Sequence, residues 1–186
     1  MTLNIGVFCG SKIGINQEHS DLTIKLGNWI GRNNHNIVFG GGHTGLMKKL
    51  TKESSKFRIK IFGIIPSYLY KESNDTRYIT DLIITKNLDQ RMKQFIARSD
   101  CFIALPGGIG TMNEILDIMV KNELSEYKKK IFLINDTNFW EPFKSLINFF
   151  VSEKFLDLKT FNAIVNISSL SKITKKIEKI DAKNQS

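Results

Sequence analysis

Cysteine, histidine and proline are scarce in this chain of 186 residues, which has two, three and three of them. Cys9 and Cys101 are far apart, and each lies inside an apolar run. A CxxC redox pair and a cysteine zinc site are therefore both excluded, and two buried thiols of a reducing compartment are expected instead. His19, His35 and His43 show no ligand spacing such as HxxxH, so no protein-bound metal is expected in catalysis, and no other cofactor. No stretch approaches eighteen apolar residues, and Met1 leads straight into an apolar segment without a basic leader or a small-residue cleavage site. The expectation is a soluble cytoplasmic protein with no membrane contact. Acidic residues are also in deficit, which leaves a net charge of +9. Of the 27 basic residues 22 are Lys, and they are scattered rather than gathered into a stripe, so no nucleic-acid partner is expected. Lys, Ile and Asn fill 64 of the 186 positions, a bias that A- and T-rich codons produce without selection for binding.

What is present is an alternation of short apolar runs with longer segments of helical period. Strands are predicted at 4–9, 36–39, 60–65, 82–85, 101–105, 130–134 and 163–167. Helices are predicted at 17–33, 44–56, 88–99, 111–124, 139–154 and 168–179. Most of the strand runs are apolar throughout, as in strands covered on both faces. The predicted fold class is α/β: one doubly wound, parallel, Rossmann-like sheet of six to seven strands with helices on both faces. A single domain over 1–180 and a frayed polar tail at 181–186 complete the expected organisation.

Ligands of such sheets bind outside the carboxyl ends of the strands, and three of those ends are rich in glycine. They read CGSK from Cys9, FGGGHTG from Phe39 and LPGGIGT from Leu105. Glycine lets backbone amides come close to a ligand, and each following helix offers a positive N-terminus to an anion. A phosphate is the expected guest. Gly40 to Gly45 formally satisfies GxGxxG, the mark of a dinucleotide-binding oxidoreductase, but the acidic residue expected about twenty positions later is missing. A P-loop is disfavoured because Leu46 and Met47 follow Gly45 where Lys and Ser or Thr are required.

The two longer motifs, PGGIGTMNE at 106–114 and GGGHTGLM at 40–47, make the chain resemble the LOG (Lonely guy) family of lysine-decarboxylase-like PGGxGTxxE proteins. The resemblance runs from about Ile5 to the last strand. It implies a homodimeric enzyme that hydrolyses the N-glycosidic bond of a nucleoside 5′-monophosphate, such as a cytokinin riboside monophosphate or an AMP-like nucleotide, to free base and ribose 5-phosphate. It further implies Arg91 and Glu114 as the catalytic pair. Gly107, Gly108, Gly110 and Thr111 become the phosphate cradle, and Ser11, Gly41, Gly42, Gly45 and Met47 further nucleotide-binding positions. Breaking the bond to the base builds positive charge on the ribose, which a nearby carboxylate stabilises. Arg91 keeps its protons, so its expected work is a forked hydrogen bond to phosphate or base.

Glu114 has a plainer reading, since Thr111 to Glu114 is also a capping box with Thr as N-cap. Arg98 reads as a solvated helix residue. The chain departs from the family at Met92, where Lys is usual, at Lys121 to Ser125, and after the third strand, where Glu72 or Ser73 meets the family's acidic position. The Met92 replacement keeps open a second reading, a non-catalytic carrier of a nucleotide or phosphorylated cofactor on the same scaffold.

Overall fold

The structure, a computed structural model, describes residues 2–70, 75–124, 126 and 128–183. Seven strands form one parallel sheet: β1 (Asn4–Phe8), β2 (Asn36–Phe39), β3 (Ile61–Pro66), β4 (Asp81–Thr85), β5 (Cys101–Ala104), β6 (Ile131–Ile134) and β7 (Val165–Ser168). Their order is β4-β3-β2-β1-β5-β6-β7, so the winding reverses between β1 and β5. At that switch the loops leaving the two strands diverge and open a crevice. The register places Val7 beside Ile103 and Phe8 beside Ala104, which brings both strand ends to the same level.

The helices are α1 (Glu18–Arg32), α2 (Gly45–Ser54), α3 (Leu88–Arg98), α4 (Ile109–Glu123), α5 (Glu141–Ser152), α6 (Leu158–Ile164) and α7 (Leu170–Lys183). One face of the sheet carries α1, α2 and α7 through Leu26, Ile30, Leu50 and Ile173. The other carries α3, α4, α5 and α6 through Phe95, Ile115, Ile147 and Phe161. Alternate residues of β1 serve the two layers, with Ile5 and Val7 on the first and Phe8 on the second. Burial of both faces explains the unbroken apolar runs. Among the described residues no helix is long and apolar enough to cross a membrane. Cys9 and Cys101 are free and buried.

Predicted bounds shift in several places. The run at 163–167 begins inside α6, a short helix capped by Asp157, whose carboxylate accepts from the Thr160 amide at 2.7 Å; β7 starts only at Val165. The fourth helix begins at Ile109 rather than at 111, because Gly108 takes the N-cap position. Helix α7 continues to Lys183, and the remainder of the expected frayed tail, 184–186, lies outside the described residues, as do Glu72, Ser73 and Ser125.

Candidate active site

A cavity of about 1030 Å³ opens at the carboxyl ends of the central strands. It lies where the topology places a crevice, and the turns after β1 and β5 are tied together there by the Gly10 amide, which donates to the Pro106 carbonyl at 3.1 Å.

Besides α3, which Asn87 caps, three helix N-termini face this crevice, and they are not equivalent. At α1 the Glu18 amide donates to the Asn16 side chain at 2.9 Å, and acidic Glu18 and Asp21 occupy the first turn. At α2 the Leu46 amide donates to the Gly10 carbonyl at 3.0 Å, so one of its three orphan amides is taken, and the Thr44 hydroxyl donates to the Ser11 carbonyl at 3.0 Å. At α4 the first intrahelical bond is Met112 to Gly108, which leaves the amides of Ile109, Gly110 and Thr111 without a carbonyl inside the helix. No acidic residue occupies its first turn. The end of α4 is thus the most open of the three to an anion.

The glycines divide in the same way. Gly41 and Gly45 do not line the cavity, and their backbone explains them. Gly41 has φ +68° against Ile64 and Ile65, and Gly45 has φ +55° with its Cα packed on the Ser11 backbone, where a Cβ would stand 2.3 Å from the carbonyl carbon. Ser11, Gly42 and Met47 do line it. Gly107 lines it as well, but a Cβ there would strike the Thr111 side chain, so packing alone requires glycine. Gly108 and Gly110 line the cavity and have nothing within 4 Å of a would-be Cβ. No protein contact demands glycine at these two positions, and what their bare backbone leaves free is approach from the cavity.

Helix α3 delivers Arg91. Asn87 caps it by accepting from the Gln90 amide at 2.9 Å, which fixes the first turn and orients the following residue. The Arg91 guanidinium lies over the Phe95 ring, 5.1 Å from its centroid. Its Nε donates to the Ile64 carbonyl of β3 at 3.1 Å and its Nη2 donates to Glu114 Oε1 at 2.7 Å. The two side chains are only 16% and 10% exposed, so this ion pair is largely shielded from solvent screening. Burial pushes the Glu114 carboxyl above the ordinary glutamate range, and the charge and hydrogen bond of Arg91 pull against it. The Cys9 thiol, also on the cavity wall, is pushed up by burial and by the charge of Glu114.

The capping-box reading of Glu114 does not survive this geometry. Thr111 sits inside α4 rather than at its cap, and the Glu114 carboxylate bonds Arg91 on another helix. Met92 is buried in the layer formed with Phe8 and Phe95 and does not line the cavity. Arg98 pairs with Gln94 on its own helix. Several lining residues were not anticipated: Gly40, Lys12, His19 and Phe139, the last two in edge-to-face contact at 5.5 Å. Lys12 and Gly40 sit in the CGSK and GGGHTGLM turns already noted; nothing in the sequence marks the other two as neighbours.

The arrangement therefore joins an open helix N-terminus to a buried carboxylate one helical turn further along the same helix. Residues 47–177 match the family described as "Possible lysine decarboxylase". Over 174 residues the chain is 30% identical to the cytokinin riboside 5′-monophosphate phosphoribohydrolase LOG1 of Arabidopsis thaliana, an alignment that covers 94% of this chain and 82% of the relative. In structure it is similar to the molybdenum cofactor binding protein of Rippkaea orientalis, with TM-score 0.71 and 23% identity over 97% of this chain and 98% of that one. It is likewise similar to the molybdenum cofactor carrier protein of Chlamydomonas reinhardtii, with TM-score 0.72 and 17% identity over 98% and 99%. At these identities the two structures speak to the fold alone.

Proposed function

The chain belongs to the LOG family, and from that premise we propose that it hydrolyses the N-glycosidic bond of a nucleoside 5′-monophosphate to free base and ribose 5-phosphate. The observation that carries the reading is the buried Arg91–Glu114 pair, set about one helical turn, ~5 Å, beyond the free amides of α4. That interval is comparable to the span from a 5′-phosphate to the ribose ring.

The phosphate sits on the amides of Ile109, Gly110 and Thr111, where the helix dipole favours its charge. The ribose then lies beside Glu114. As the C1′–N bond breaks, the base departs with the bonding electron pair and positive charge grows on the ring. The Glu114 carboxylate stabilises that charge in a site where burial strengthens the attraction. Water adds to C1′ and gives up a proton, for which the raised proton affinity of Glu114 makes it a suitable acceptor; that proton then passes to the departed base, which leaves neutral and restores the carboxylate. Arg91 holds the carboxylate in place and ionised. Ile65, Pro66 and Leu69, on the Arg91 side of the cavity, are left to face the base.

The partner is a second copy of the chain. Leu116, Val120 and Leu124 form an exposed apolar stripe along α4, and the stripe starts at exposed Ile109 on the cavity wall. The carrier reading drew on Met92, which is buried away from the cavity. The fold itself is shared with molybdenum cofactor carriers and does not choose between catalysis and carriage.

Incubation with AMP, GMP, CMP, UMP and isopentenyladenosine monophosphate, resolving base and ribose 5-phosphate by chromatography, tests the proposal. Release of base from at least one of them is expected. Binding of a phosphorylated ligand, seen as a raised Tm, with every nucleotide intact would replace hydrolysis with carriage.

A further inference from the structure

We propose that Gly40 is a positioning residue, whose missing side chain admits the Arg91 guanidinium to Glu114. The inference rests on the hydrolase reading for its consequence in turnover, and on geometry for the contact itself. Gly40 is the first residue after β2 and lines the cavity. A methyl group built on it would stand 2.6 Å from Arg91 Nη2 and 3.7 Å from Cζ. The same Nη2 donates the 2.7 Å hydrogen bond to Glu114.

Nothing else requires glycine here. The positive-φ glycines are Gly14, Gly41 and Gly45, so the Gly40 backbone tolerates an L side chain. Its remaining close neighbour, Met47 Sδ at 3.5 Å, is an ordinary contact. An alanine would therefore fit both the backbone and the packing, with the guanidinium as the sole obstacle.

A long side chain end usually swings aside at little cost, but this one is held on three sides. Ile64 accepts from Nε at 3.1 Å, Glu114 accepts from Nη2, and the Phe95 ring lies beneath. To reach 3.4 Å, where ordinary contact begins, Nη2 must retreat about 0.8 Å from 2.6 Å. A retreat of that size loosens the bonds that aim Arg91, and displacements near 1 Å at a reacting centre cost up to about 100-fold in rate.

The test combines Gly40→Ala, Arg91→Ala and the double variant. Gly40→Ala is expected to lower kcat roughly 10- to 100-fold, the range set by one charged hydrogen bond, with Tm lowered no further than in Arg91→Ala. In the Arg91→Ala background it should change kcat less than about 2-fold, because its effect passes through Arg91. Additive losses, or a wild-type kcat in Gly40→Ala, would overturn the inference. A second readout does not need turnover: 13C titration of the Glu114 carboxyl, which faces Arg91 and Cys9. Gly40→Ala should move it upward, as Arg91→Ala does, and an unchanged titration would count against the contact. If the wild type cleaves no nucleotide, the hydrolase reading fails, while the titration still decides the role of Gly40.

Discussion

Gly110→Ala separates a glycine kept for the fold from one kept for a ligand. Gly110 is the second residue of α4, with a helical backbone and nothing within 4 Å of a Cβ. Alanine in a helix is more favourable than glycine by about 0.5–1 kcal/mol, since glycine loses more backbone freedom on folding. For a chain of this size that raises Tm by about 1–4 °C. The added methyl projects into the cavity beside the three free amides. Loss of even one charged hydrogen bond to a phosphate, about 1.5–3 kcal/mol, weakens binding roughly 10- to 150-fold. The expected result is a protein that melts higher and binds ribose 5-phosphate at least about 10-fold more weakly by calorimetry. An unchanged affinity in a stabilised protein would mean that α4 does not hold the phosphate. A lowered Tm would mean that the Gly110→Ala methyl meets protein rather than open cavity.

Arg91→Ala removes the charge that opposes burial at Glu114, so kcat/KM should fall roughly 10- to 150-fold. The sign for pH follows from the same pair. Activity needs ionised Glu114 and is lost as pH falls through its raised pKa, so the acid limb of the rate profile should move to higher pH in this variant. A limb that stayed in place would mean that Arg91 does not act on Glu114. Met92→Lys places an unpaired ammonium among Phe8 and Phe95, so a fall in Tm on the order of 10 °C without any gain in turnover is expected. A gain in rate would return Met92 to the site. Leu116→Glu with Val120→Glu should convert a dimer to monomers in sedimentation velocity, and a monomeric wild type would remove the stripe as an interface.

Most of the fold was legible because strands buried on both faces must be apolar throughout and helices buried on one face must repeat every three to four residues. Helix α6 escaped because Ile164 and Val165 continue an apolar run across its end, so hydrophobicity alone shows no boundary there. Thr111 was open to reading as a cap because propensity favours Thr over Gly only slightly once Gly108 is available three residues earlier. Arg91 and Glu114 lie on different helices, so no spacing rule joins them; the resemblance named them, and their bond exists only in the tertiary structure. Gly40, Gly41 and Gly42 are identical as letters. One faces a guanidinium, one takes a positive φ and one packs on Met47, and these are facts of their neighbours.

The central claim is that the Glu114 carboxylate drives cleavage of the glycosidic bond, and comparison of wild type with Glu114→Gln tests it most directly. The amide keeps the shape and an acceptor for Arg91 but lacks the negative charge. With the substrate found in the nucleotide panel, base release should fall at least about 100-fold, as for loss of one preorganised electrostatic group, while ribose 5-phosphate binding and Tm persist. Base release at the wild-type rate would contradict the account.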